Sequence, residues 1–153
     1  MMVGERRFGL RRGIRDERGF TLVELLVVIM IIGVLAEIAI PSFLGQSAKS
    51  DDAAAKSAVQ TAQIATEAYR LDHGNYCGVT PSKLIAIEPA LSQANALSVN
   101  VSSCDGGDTS EYSVSVTSRS SLATVYSVRV QNGESARTCS TPGQAGCPAG
   151  GTW

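Results

Sequence analysis

The chain has 153 residues, a net charge of −1 from 13 Lys and Arg against 14 Asp and Glu, and 5% aromatic residues. One apolar segment of membrane length leaves room for a single small domain beside it. The near-even charge, with no basic patch, gives nucleic acid no electrostatic footprint, and so few aromatics supply neither a stacking platform for bases nor an aromatic conduction path.

Charge is nonetheless unevenly placed. Residues 1–19 hold six Arg (6, 7, 11, 12, 15 and 18) against Glu5, Asp16 and Glu17, a net +3, and the remainder nets −4. A basic head before an apolar run stays in the cytoplasm and directs the downstream chain outward. The run from Phe20 to Ile40 carries only Glu24 and Glu37 as charges. At ~1.5 Å per residue, a helix of ~20 residues spans a hydrocarbon core of ~30 Å. Three readings compete for it. A secretory signal peptide cut at Val34–Ala36 would need an unusually long apolar region with Thr21 and Glu24 at its start. A plain signal anchor accounts for length and orientation. It leaves Glu24 unexplained, although a charge inside a transmembrane helix costs ~2.5–3.5 kcal/mol. The third reading is a leader cut between Gly19 and Phe20. The new amino terminus is then a cation, with Glu24 one helical turn away in the same membrane layer. Each is costly alone, and paired they neutralise each other. Within one chain Glu24 also suits the positive end of the helix. Between chains, the amine of one subunit meets the Glu24 of another and favours side-by-side packing. Gly19 suits a cut site because it lets a protease approach the backbone closely.

The stretch "GFTLVELLVVIMIIGVLAEIAIPSF" (residues 19–43) resembles the prepilin signature of type IV pilins and type II secretion pseudopilins. The motif covers about 25 residues, and the layout of a long helix followed by a small sheet extends the likeness over the chain. The resemblance implies that Gly19 precedes the cut, and that a membrane-embedded aspartyl prepilin peptidase releases and N-methylates Phe20. Glu24 matches the family's glutamate, and Gly33 and Pro41 fall where the family's helix has its glycine and proline. It further implies a filament core of apolar helices with sheet domains at the surface. The helix between Gly33 and Pro41 would be able to stretch. A subunit bearing Glu24 would stack within the shaft, since family members lacking that glutamate tend to sit at the tip. Glu37 departs from the pattern. It lies on nearly the opposite helix face from Glu24. Either it snorkels into water at the outer interface, or it pairs with Lys49 or Lys56 of a neighbour.

Beyond Pro41, which removes an amide and should kink the helix, the periodicity stays helical through residue 73. Ala55, Ala58, Val59, Ala62, Ala65 and Tyr69 form one stripe that should lie on a sheet. The Ala content also reflects helix propensity. Asp52 and Lys56 read as a favourable i,i+4 pair. "HGN" at 73–75 ends the helix with Gly74 at C′, and His73 reads as a cap or dipole partner. Residues 74–96 form a connection. In it "TPSKLIAIEP" reads as a short helix with Thr80 as N-cap, Pro81 at the first position and Pro89 as the stop, or else as a loop packed by Leu84 and Ile87.

From Leu97 the period switches to two. "LSVNVSS", "EYSVSVTS", "LATVYSVRVQ" and "SARTCS" read as strands, and "CDGGDTS" and "QNG" as turns. The predicted class is α+β, one long helix against a small antiparallel meander. Five regions make up the chain: a basic leader (1–19), an apolar helix (20–40), an amphipathic half (41–73), the connection (74–96) and the sheet with its Cys loop (97–153).

Cys77, Cys104, Cys139 and Cys147 all lie on the side predicted to be outside. An even number there reads as two disulfides, and the spacings do not suit a zinc site. Three pairings are open on the residues alone. Closeness in sequence and the resemblance favour 77–104 with 139–147. Asp105 and Asp108 read as turn residues. Hard cations want six or more oxygens, so no metal is assigned. The resemblance to major type II pseudopilins, which carry calcium in this general region, makes these two the candidate ligands. The Asn100-Val101-Ser102 sequon reads as chance in a strand. No catalytic set or phosphate loop emerges, so neither an enzyme nor a cofactor is expected.

The reading is a type IV pilus subunit, held in the membrane with its C-terminal domain outside and then extruded into a surface filament. Its partners would be further subunits, the prepilin peptidase, an inner-membrane platform protein and a cytoplasmic assembly ATPase, with no direct contact to nucleic acid. The alternatives are a type II secretion pseudopilin, a competence pilin, or a monomeric membrane-anchored binding module.

Overall fold

The computed structural model describes residues 19–102, 104 and 111–153. Among these residues two helices, a 3-10 turn and four strands succeed one another: α1 (Leu22–His73), α2 (Pro81–Ile87), the turn (Pro89–Gln93), β1 (Ser98–Val101), β2 (Tyr112–Thr117), β3 (Val125–Gln131) and β4 (Glu134–Cys139). The chain divides into two compact units, one ending at Ile38 and one from Ala39 to Trp153. The expected α+β layout of a long helix before a small antiparallel sheet is what the chain adopts.

In the second unit the strands form a simple meander in the order β1-β2-β3-β4, every pair antiparallel. Alternation dictates the two faces. Tyr112, Val114 and Val116 of β2 and Tyr126, Val128 and Val130 of β3 point to the helix side and are buried. Opposite them Ala55, Val59, Ala62, Ala65 and Tyr69 of α1 are buried, with Ala58 packed at their edge. The small side chains of that stripe let the helix backbone approach the sheet. Each fully buried Val contributes ~1.5–3 kcal/mol relative to exposure. β3 and β4 join through Asn132 (φ 51°) and Gly133 (φ 80°), the left-handed pair that a two-residue hairpin demands. β4 lies outside the helix footprint, and only its last residue, Cys139, is buried.

The helix ends as the sequence suggests. The Gly74 amide donates to Arg70 O at 2.7 Å, and the His73 ring stacks on Tyr69 with Nδ1 2.9 Å from the Tyr69 carbonyl. Thr80 Oγ1 accepts from the Lys83 amide and caps α2. Pro89 does more than stop α2. Its fixed φ suits the first position of a helical turn, and it opens the 3-10 turn.

Two carboxylates on α1 tie the helix to the rest of the unit. Glu67 accepts from the hydroxyls of Tyr112 (2.7 Å) and Tyr76 (2.9 and 3.0 Å) and from Arg70 Nε (3.4 Å). Burial, reinforced by that carboxylate, pushes the Tyr76 phenol up to about 12. Asp52 does not form the surface pair with Lys56 that the i,i+4 spacing suggests. It is fully buried and accepts from Ser120 Oγ (3.1 Å) and the Gly146 amide (2.8 Å), while Lys56 Nζ donates to the Gly146 carbonyl (2.6 Å). Asp52 sits one turn before Ala55 on the buried stripe, where the Gly146 amide and the Ser120 hydroxyl donate to it, while the carbonyl of the same glycine takes the Lys56 ammonium.

Candidate assembly interface

Among the described residues, the first unit presents the apolar beginning of α1. Thr21 starts it, with its Oγ1 accepting from the Glu24 amide at 3.2 Å and its carbonyl from the Leu25 amide at 3.2 Å. This satisfies donors that a helix start leaves open. This capping role of Thr21 is not among the expectations drawn from the sequence, where Glu24 dominates the local pattern. The signal was a Thr three residues before a Glu at the head of an apolar run. Glu24 lies in the first turn, at the positive end of the helix.

Nothing described in the chain covers this stretch. Phe20 is 81% exposed, and the most apolar 18-residue window of the helix has none of its residues buried. The helix is long and apolar enough to cross a membrane. Lipid or other helices must cover it, because each large apolar side chain left in water forgoes ~1.5–3 kcal/mol. Glu24 is exposed among these side chains, and the next basic residue along the chain is Lys49. A cation for Glu24 therefore comes from the amino-terminal side or from outside the chain.

A Cβ built on Gly33 or on Gly19 would meet no atom within 4 Å. A mid-helix glycine costs ~0.5–1 kcal/mol relative to Ala, and nothing described in this chain offsets that cost at Gly33. Helical structure continues through Pro41, whose side chain lies outside the described residues. Glu37 is exposed, as is Lys49, whereas Lys56 is engaged by Gly146 of its own chain. Of the two neighbours' cations considered for Glu37, Lys49 is thus the one still exposed.

The second unit carries two disulfides, Cys77–Cys104 and Cys139–Cys147. The first ties the connection after α1 to the chain leaving β1. The second closes the loop that bears Gly146, whose peptide Asp52 and Lys56 grip from α1. A Cβ on Gly146 would stand 2.9 Å from Asp52 Cβ and 3.1 Å from the Tyr126 hydroxyl, so only glycine allows this approach. The Tyr126 hydroxyl is itself buried and without a hydrogen-bond partner among the described residues. Burial and the adjacent Asp52 charge push it up to about 12. Lys56 lies over the rings of Tyr126 (5.2 Å) and Trp153 (5.8 Å), adding cation–π attraction to the grip. Asp105 and Asp108 lie outside the described residues. Among the described residues no group of three or more His, Cys, Asp or Glu gathers to hold a metal.

Asp52 gives the second unit an acid-sensitive contact. Burial alone would raise its pKa. The Ser118 hydroxyl, the Gly146 amide and the Ser120 hydroxyl outweigh burial and hold it below the ordinary value. A depressed folded-state pKa supplies stability that is complete above the unfolded value of ~3.9 and is lost as pH falls through the folded value. Denaturant unfolding of the chain and its Asp52→Asn variant across pH 2–7 should show a steeper acid loss in the parent. Superimposable acid limbs would remove Asp52 from that role.

Comparison with known proteins finds a family match near the N-terminal end and several partial relatives. Residues 14–36 match the family described as the prokaryotic N-terminal methylation motif. The chain is 42% identical over 65 residues to type II secretion system core protein G of Escherichia coli K12, covering 42% of this chain and 45% of that protein. It is 40% identical over 62 residues to the protein of the same name from Dickeya chrysanthemi, covering 40% of each. It is 32% identical over 85 residues to a fimbrial protein of Neisseria meningitidis serogroup B, covering 56% of this chain and 50% of that protein. The chain thus spans about half the length, or less, of the curated relatives it matches.

Proposed function

We propose that the protein is a structural subunit, not an enzyme, of a type IV pilus-like filament, a reading supported by the N-terminal methylation motif matched at residues 14–36 and by the likeness to type II secretion core protein G and to a fimbrial protein. Prepilin peptidase cuts after Gly19 and N-methylates Phe20. The Phe20 amine of one subunit then pairs with Glu24 of a neighbour and sets register between helices. One observation carries this reading. An apolar helix start lies wholly exposed, with a carboxylate in its first turn and no cation further along the chain until Lys49. Before assembly the helix anchors the subunit in the membrane with its sheet domain outside. A platform protein in the inner membrane and a cytoplasmic ATPase drive extrusion, after which Gly33 and Pro41 let the intervening helix stretch. Neither a cofactor nor nucleic acid takes part directly.

A second reading, a type II secretion pseudopilin, draws on the higher identity to the core protein G sequences than to the fimbrial protein. The two disulfides and the four-stranded sheet lead us to prefer the pilus. Loss of exoprotein secretion on deletion, with surface filaments unaffected, would reverse that preference. Loss of DNA uptake by intact cells would point to a competence filament.

The test is intact-mass and N-terminal peptide mapping of the native protein from sheared filaments and from membranes. A chain beginning at N-methylated Phe20 is expected. A chain beginning at Met1 or after Ala36 would discard prepilin processing and leave a monomeric anchored or secreted binding module.

A further inference from the structure

The second unit carries an apolar ridge and an apolar cleft on the same helix. Ile64 and Leu71 stand out from α1, 71% and 77% exposed, two turns apart on one stripe. The cleft, ≈ 350 Å³, runs along α1 from Asp51 past Ala54 and Ala58 to Thr61 and is closed on its far side by Ala90 of the 3-10 turn and by Ala94, which caps that turn. At ~1.5 Å per residue the ridge tips are ~10 Å apart along the helix, and the helical wall of the cleft is ~15 Å long. The cleft is therefore long enough for both tips, and its alanines leave room for branched aliphatic side chains. At ~100° per residue the ridge and the cleft wall face directions roughly 100° apart around α1. One copy thus enters its neighbour with one face while accepting the next copy on another. Such a heterologous contact does not close on itself and propagates as an open helical array.

We propose that Ile64 and Leu71 of one copy seat in the cleft between α1 and the 3-10 turn of a second copy of this chain. The inference rests on the filament reading. Under it, helices of neighbouring copies already meet along the apolar start of α1, so the copy at hand to cover the ridge is another subunit. With helices parallel, the centre of the ridge (between residues 67 and 68) meets the centre of the wall (residue 56). That sets an axial offset of roughly 17 Å between the touching copies at ~1.5 Å per residue. Of the two charged groups in the lining, Arg119 at the rim is turned to the Gln93 carbonyl at 2.8 Å, and Asp51 stands only at the end of the helical wall.

The experiment places a photo-crosslinking benzoylphenylalanine at Ile64 of the full chain in cells that assemble it, with peptide mapping of crosslinked dimers from sheared material. Adducts to residues 51–61 or 90–94 of a second copy are expected. A separate Ala54→Phe variant, which fills the cleft from an exposed position, should lower assembled protein at least tenfold while both disulfides still form. Assembled chain whose Ile64 adducts fall on the sheet, or on Ile64 of the neighbour, overturns the inference and leaves the filament reading standing. Unaltered assembly of the Ala54→Phe variant does the same. Failure of the unmodified chain to assemble at all overturns both.

Discussion

Replacing Asp52 by Ala is expected to lower the unfolding free energy of the chain by about 3 kcal/mol, read by denaturant unfolding in detergent with disulfides intact. The buried carboxylate accepts from Ser120 and from the Gly146 amide. Its removal strands both donors, at ~1–3 kcal/mol for each left unsatisfied. Gly146→Ala attacks the same contact from the other side, because the new Cβ would stand 2.9 Å from Asp52 Cβ. Its expected cost is about 2 kcal/mol, in the ~1–3 kcal/mol range of overpacking. Since the two share one contact, the double variant should lose clearly less than the sum. Asp51→Ala, at the neighbouring half-exposed position, is the control and should stay within ~0.5 kcal/mol. A loss below about 1 kcal/mol for Asp52→Ala would mean that the Cys139–Cys147 loop is held by something other than this grip.

Glu24→Ala should reduce the protein recovered in sheared filaments about a hundredfold while the membrane pool keeps both disulfides. The reasoning is electrostatic. Without its carboxylate partner, the amine of a processed neighbour is an uncompensated charge among apolar helices, at ~2.5–3.5 kcal/mol. At ~1.4 kcal/mol per tenfold that is about two decades in the assembly equilibrium. Glu24→Gln keeps the size and a hydrogen-bonding group but not the charge, and should lose nearly as much. Filament recovery at the parental level from either variant would end the register role proposed for Glu24 and favour a lone anchored module.

Much of the fold is legible in the residues because periodicity reports it directly. The 3.6-residue stripe from Ala55 to Tyr69, the switch to alternation after Leu97 and the "QNG" hairpin each arise from local geometry, and the structure has each of them. So does the apolar run with its single early carboxylate. Asp52 reads wrongly from sequence because polarity masks position. It lies on the same stripe as Ala55 and Val59, yet a charged residue with Lys56 four places on resembles an exposed pair. Thr66 is hidden likewise, and its hydroxyl turns inward to the Ala62 carbonyl at 2.7 Å. Thr21 is legible as a cap, but the costlier Glu24 beside it dominates the local pattern.

The sequence alone determined local matters: where the helix begins and ends, which of its faces is apolar, and that its first part is too apolar to stand in water. The tertiary structure decided what depends on distant segments meeting. It set which cysteines join, that Asp52 and Lys56 hold a peptide some ninety residues away, and that Tyr76 and Tyr112 converge on Glu67. Periodicity carries no information about partners so far apart in the chain. A buried carboxylate is stable only where the fold delivers donors to it, and that delivery exists only once helix, sheet and loop are assembled.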